Sequence, residues 1–265
     1  MRDARRCALH LLRHALAPRQ AEAARDPIAP DVLAAHEASR GRYGARKIKA
    51  ALARSGKTAS RRRICRIMRE NGLSSAYGKK RHKAHPGKAN EAGLPSIVAR
   101  GFRGRPPRTH VCSGLTCVRV GGGWNYACLL VDLRNREIVG HSTGPRKDAD
   151  LVKSALAALD FPISDIEVFH TNRGCEFGNA KIDDLLGAFG ARRSLPKKGC
   201  PYDNAVDEST NKIPKAEFVY RESFSSIREP KVKLSDYVHW CNNFRMHSTL
   251  GYMSPVEFGK AGLSP

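Results

Sequence analysis

The side chains best arranged for chemistry in this 265-residue sequence are guanidinium groups. Arg61-Arg62-Arg63 open a segment that adds Arg66 and Arg69, and a guanidinium fork matches phosphate oxygens or the major-groove edge of guanine. Lys79, Lys80, Arg81 and Lys83 follow among Gly, His, Ala and Pro, a composition suited to a flexible basic linker tracking a phosphate backbone. Soft metal ligands are poorly arranged by comparison. The eight cysteines, at 7, 65, 112, 117, 128, 175, 200 and 241, form no Cys-x-x-Cys pair. His10 and His14 lie one helical turn apart, but no close cysteine pair completes a tetrahedral site. Reduced thiols in a cytoplasmic protein account for these residues.

Charge distribution points to the same partner. Residues 1–110 hold 27 Lys+Arg against 7 Asp+Glu, a balance of +20. The remaining 20 Lys+Arg and 18 Asp+Glu leave residues 111–265 at only +2 of the total +22. A concentrated polycation joined to a nearly neutral half implies binding to a phosphate backbone, driven by counterion release. The hydrophobic share of 41% is enough for a buried core and argues against global disorder. No apolar run approaches the ~20 residues that span a bilayer. Arg2, Arg5 and Arg6 precede the apolar stretch Ala8–Leu12, but His10 and Arg13 interrupt it, so it makes a poor signal peptide. The expectation is a cytoplasmic protein with no membrane partner.

Two elements must position the arginines. Arg46–Arg54 places Ile48, Ala51 and Leu52 on one helical stripe. After the loop Ser55–Ala59, Ser60 is a natural N-cap for Arg61–Asn71, which carries Ile64, Ile67 and Met68 on one face and ends at Gly72. Two short helices joined by a glycine-containing turn make a helix-turn-helix, whose second helix presents its first residues to the major groove. The chain is thereby expected to divide into a helical region over 1–73, with the helix-turn-helix at about 30–73, a basic linker over 74–109 and a third part over 110–265.

In that third part the periodicity changes. Val111–Val120, Trp124–Leu133 and Glu137–His141 read as an antiparallel meander turning at Gly121-Gly122-Gly123 and Arg134-Asn135-Arg136. Asp148–Leu159 reads as a helix, Ile166–His170 as a strand, Ala180–Phe189 as a helix and Arg192–Leu195 as a last strand. Ala205–Phe218 and Val232–His247 read as helical. Three antiparallel strands followed by alternating helices and strands is the layout of an α/β fold of the ribonuclease H-like type, a mixed sheet flanked by helices.

Specific motifs sharpen this. They are Arg42-Tyr43-Gly44 leading into Ser60–Leu73, Val131-Asp132-Leu133 with Glu137–Gly140, Phe169-His170-Thr171-Asn172-Arg173-Gly174-Cys175-Glu176-Phe177, Gly199–Ser209, and Asn242–His247 with Gly251–Pro255. In that order, over roughly 30–258, the sequence resembles the IS-three family of bacterial insertion-sequence transposases, in particular their downstream half. The resemblance implies an integrase-type catalytic core. It also implies DNA partners (element terminal repeats and target), a homo-oligomer on DNA, and phosphodiester transfer with two magnesium ions held by Asp, Asp and Glu.

Read onto this sequence, the family's third carboxylate is Glu208. Counting back across 35 intervening residues, the spacing the resemblance implies, reaches Asn172, where the family motif has aspartate. The first carboxylate belongs on the first strand, where Ser113-Gly114-Leu115-Thr116-Cys117 places Gly114. An amide has no charge and glycine has no side chain, so one remaining carboxylate cannot balance two divalent ions beside a polyanion. Magnesium binding is expected to be impaired, and with it catalysis. Asp132 and Asp203 match family positions outside the trio and are expected to have structural roles. Asp207 lies beside Glu208, and Glu176 is the loop acid nearest in sequence to Asn172. Cys117 stands where a tyrosine is expected, and Pro214 falls inside an expected helix, at a nominal cost of about 3 kcal/mol. Two other readings compete: a DNA-binding regulator that occupies element ends, and an active enzyme with substitute metal ligands.

Overall fold

The computed structural model describes residues 26–77, 96–98, 104–196, 212–226 and 228–263. His10, His14, Lys79, Lys80, Arg81, Lys83, Asp203, Asp207 and Glu208 lie outside them. The chain divides into two compact units, residues 1–81 and 82–265. Among the described residues no helix is long and apolar enough to cross a membrane.

Among its described residues the first unit holds three helices: α1 (Ala29–Ala38), α2 (Ala45–Arg54) and α3 (Arg61–Glu70). Val32, Ile48, Leu52, Ile64 and Ile67 are all but sealed from solvent and form its core. The Arg42-Tyr43-Gly44 motif is a corner: the Ser39 hydroxyl accepts the Arg42 and Tyr43 N–H groups and donates to the His36 carbonyl. A Cβ on Gly44 would lie 3.2 Å from Ser75, so glycine lets the outgoing strand of chain close over the start of α2. Ser60 caps α3 by accepting the Arg63 N–H at 3.2 Å. Replacing Ser60 with alanine is expected to cost this unit about 1 kcal/mol, read as faster hydrogen exchange of the α3 amides; unchanged exchange would refute the cap's role.

The second unit is built on a five-stranded sheet in the order β3-β2-β1-β4-β5. Its strands are β1 (His110–Val120), β2 (Gly123–Asp132), β3 (Ile138–Gly144), β4 (Val168–Thr171) and β5 (Arg192–Ser194). The first three form the antiparallel meander, and β4 and β5 add in parallel. This is the mixed sheet expected of the ribonuclease H-like layout. One face packs against α4 (Ala149–Leu156) and α5 (Ala180–Ala188), with Val111, Leu130, Val152, Phe169, Phe177 and Ile182 at its centre. Gly140 permits the close fit, since a Cβ there would sit 2.6 Å from the Ala155 carbonyl oxygen. The His141 side chain lies on the opposite face, where α6 (Arg228–Asn243) packs on β3, and by alternation position 114 belongs to that same face. The chain closes with α7 (Pro255–Lys260), started by a capping box between Ser254 and Glu257.

Three expectations need correction. The last long helix ends at Asn243 rather than His247, because Asn242 and Arg245 are drawn into tertiary bonds that a continuing helix would misdirect. Asn242 grips the start of β3 with both amide atoms, accepting the Ile138 N–H and donating to the Ile138 carbonyl, each at 2.9 Å. Pro214 does not break the chain's path on its C-terminal side. Its backbone is helical (φ −61°, ψ −34°), and the next turn, Lys215–Val219, widens into a π-helix. Nor is the whole stretch 74–109 a linker: Ala76 bonds Arg42 in the first unit, while Ile97 and Val98 donate to the Ser194 hydroxyl in the second.

Candidate functional site

The parallel register of β1 and β4 ends with Ser113 opposite Thr171. Gly114 is the next residue on β1 and Asn172 the first residue after β4, so the two positions follow directly on that last pair. Two residues 58 positions apart in sequence are thereby brought to one end of β4. The juxtaposition is what two cooperating carboxylates would need. The residues present do not supply it. Gly114 is buried within β1 opposite Leu129 and offers no side chain. The Asn172 side-chain amide oxygen Oδ1 accepts the Gly174 N–H at 2.8 Å, closing the loop after β4. A magnesium pair does not fit these two donors. Among the described residues no three His, Cys, Asp or Glu side chains are placed to hold a metal ion.

The other residues of the segment His170–Phe177 are occupied in building the loop. His170 Nδ1 lies 3.0 Å from the Ser194 hydroxyl. Arg173 donates from two guanidinium nitrogens to the Pro196 carbonyl, at 3.1 and 2.9 Å. Phe177 is sealed in the core, edge-on to Phe169. Glu176 is 2% exposed, and its carboxylate fills the space that a Cβ on Gly174 would need. Lys147 Nζ lies 3.2 Å from Glu176 Oε1, an ion pair without hydrogen-bond alignment. Glu176 is thus buried against Gly174 with Lys147 as its counter-charge, and Cys175 Sγ lies 3.8 Å from its Oε2.

Asp132 has the structural role expected of it. It is 1% exposed and accepts the Arg108 N–H and the Arg134 N–H, both at 2.9 Å, which fixes the approach to β1 and the turn after β2. Burial pushes its carboxyl up, and the two backbone bonds oppose that.

Two imidazoles carry a pH signature. Burial holds His110 below its ordinary range, and His141 is held down by burial and then by Lys231. Each favours the neutral form when folded, so the unfolded chain binds more protons just below the ordinary histidine value of about 6.5. Stability is therefore complete above that value and is lost as pH falls below it. Denaturant titrations at pH 7.5 and 5.5, conditions set on either side of about 6.5, should show a lower midpoint in acid, with a smaller drop in His141→Gln.

The arginines of α3 divide into two groups. Arg61, Arg62, Arg66 and Arg69 are exposed and Arg63 is half-buried, but only Arg63 and Arg66 pair with Asp26. Arg63 donates to both oxygens of Asp26, at 2.6 to 3.2 Å, and Arg66 donates to Asp26 Oδ2 at 2.7 Å. Asp26 had gone unnoticed in the sequence because nothing local links it to a helix 37 residues away.

Comparison with known proteins matches both units. A model described as an HTH-like domain matches residues 23–81, and one described as an integrase core domain matches residues 208–263. The chain is 30% identical over 240 residues to the transposase InsF for insertion sequence IS3A of Escherichia coli (strain K12), covering 88% of this chain and 82% of the relative. It is 27% identical over 247 residues to the transposase for insertion sequence element IS904 of Lactococcus lactis subsp. lactis (strain IL1403), covering 92% and 97%. Among solved structures, the HTLV-2 integrase catalytic core domain in complex with magnesium is similar at 13% identity and a TM-score of 0.45, over 59% of this chain and 98% of that one.

Proposed function

We propose, on the premise that the chain belongs to the IS-three family of insertion-sequence transposases, that it binds the terminal repeats of its element and does not cut them. The family's activity is DNA transposition, and the helix-turn-helix and integrase units are the parts such a protein uses to hold DNA. One observation carries the reading: the two positions that follow the last β1–β4 pair hold Gly114 and Asn172, which lack the two anionic donors the reaction requires. Magnesium is the family's expected ion, and this donor set binds it weakly at most. Glu208 is the single retained carboxylate of the trio and the remaining metal ligand. The burial of Glu176 against Gly174, with Lys147 as its counter-charge, argues against rescue by a substitute acid. A protein that occupies element ends without cutting acts as a regulator of cutting-competent relatives. It works as a homo-oligomer on DNA, in the cytoplasm at the nucleoid.

The test is a DNA-binding and strand-transfer assay on the same purified chain. Labelled duplexes carrying the element's ends should bind with a steep loss of affinity as salt rises. They should stay intact with magnesium or manganese. Product formation that Glu208→Gln abolishes would overturn the inactive reading and establish an active enzyme with an unusual ligand set.

A further inference from the structure

The division of arginines on α3 specifies more than a basic helix. Asp26 is 4% exposed at its side chain, whereas its partners Arg63 and Arg66 are 38% and 45% exposed. Both carboxylate oxygens are taken: Oδ1 also accepts the Ile28 N–H, at 3.1 Å. The Arg63 guanidinium beside Asp26 holds that carboxyl below the usual carboxylate range. For Arg63 or Arg66 to turn to a DNA phosphate, this carboxylate would be left buried without its cation, which is strongly unfavourable. Asp26 therefore occupies the place on these two forks that a phosphate would take.

With about 100° per residue, the core-facing Ile64, Ile67 and Met68 set the outward direction near Arg62, Arg66 and Arg69, with Cys65 at the edge of that stripe. All four are exposed. Of the three arginines Arg66 is held by Asp26, which leaves Arg62 and Arg69, spaced i and i+7 on one line along the helix. Arg62 and Arg69 are two turns apart, about 10.5 Å of axial rise, which is about three base steps at roughly 3.4 Å each. Arginine on an exposed recognition-helix stripe pairs in bidentate fashion with guanine O6 and N7.

Building on the DNA-binding reading above, we infer that Arg62 and Arg69 are the sequence-reading side chains. Each takes one guanine, the two lying about three base steps apart in the major groove, while Asp26 withholds Arg63 and Arg66 from the DNA.

The test is selection of duplexes from a pool with a randomised centre by the full-length chain, repeated for exposed-site variants. The wild-type chain should enrich a sequence with two guanines at that separation. Arg62→Lys and Arg69→Lys keep the charge but lose the fork, so each should erase the preference at one guanine. Each should also lower affinity for the selected duplex roughly ten- to hundredfold, with little change on bulk DNA. Arg63→Lys and Arg66→Lys should leave the selected sequence unchanged. Asp26→Asn should raise bulk-DNA affinity and steepen its log–log salt dependence by up to about 2. If the wild-type chain binds DNA but Arg62→Lys and Arg69→Lys recover the wild-type sequence, the assignment of readers is wrong and the DNA-binding reading stands. A base preference altered by Arg63→Lys would likewise overturn the role given to Asp26. No DNA binding at all would overturn both.

Discussion

Gly114→Asp combined with Asn172→Asp is expected to raise magnesium-dependent cutting of element-end DNA by about 10³-fold or more. The basis is geometric. Positions 114 and 172 lie one step beyond the last β1–β4 pair, so two carboxylates added there would stand at the same end of the β1–β4 pair. Restoring both donors should return several kcal/mol of transition-state stabilisation, and each 1.36 kcal/mol is tenfold in rate. Neither single substitution is expected to suffice, because one restored carboxylate still leaves the charge of two divalent ions underbalanced beside a phosphate chain. The check is cleavage of a labelled terminal duplex by the wild-type chain, both singles and the double. A double variant that folds, binds DNA and remains as inert as the wild type would show that more than these two side chains is missing.

The second large effect concerns the packed layer over the opposite face of the sheet. Glu217 is fully buried on the π-turn, and Arg245, 3% exposed, grips it with two bonds of 2.7 and 2.8 Å. Tyr237 adds a third bond at 3.3 Å and stacks on Phe218. Removing one partner leaves a charge sealed from water, so Arg245→Leu or Glu217→Met should each destabilise the second unit by about 3–5 kcal/mol. Replacing both together removes the charge and its counter-charge at once. The double variant should recover most of the loss, since buried pairs and apolar substitutes of similar volume are often close in stability. Chemical denaturation of the four proteins closes the cycle. Losses that simply add would mean that the two residues do not act on each other.

These pairs also explain what was and was not legible in the sequence. The meander was readable because β1 to β3 are joined by short glycine and arginine–asparagine turns, and Val111–Val120 is β-rich throughout. Its boundaries lie within a residue of the observed ones, except that β3 runs three residues further, to Gly144 rather than His141. The helix-turn-helix was readable because Ser60 and Gly72 punctuate a stripe of isoleucines. Helix α1 was missed: it buries only Ala29 and Val32, too few apolar residues to set a period. Its neighbour Asp26 was missed with it, and so the sequence could not tell a phosphate-facing arginine from one already paired. The tail Phe244–His247 was taken as helix because its residues tolerate one. Long-range bonds from Asn242 to β3 and from Arg245 to Glu217, 28 residues upstream, end the helix earlier. Such partners are fixed by topology, and no local pattern encodes them.

The candidate site shows the converse. Residue identity alone put Gly114 and Asn172 at the positions in question, through the resemblance to a family motif. Only the register of β1 against β4 brings them to one end of that pair. The same structure reveals that the rest of the segment is architecture: Arg173 holds the Pro196 carbonyl, Gly174 yields space to Glu176, and Phe177 anchors the loop in the core. At 172, where the family motif implies an acid, the loop carries an amide whose Oδ1 accepts the Gly174 N–H.

The most direct measurement is calorimetric titration of the folded chain with magnesium and with manganese. The account predicts weak heats that fit no paired site, and a second binding event that appears only in the Gly114→Asp, Asn172→Asp variant. Two saturable ions bound by the unmodified chain, lost together on Glu208→Gln, would contradict it.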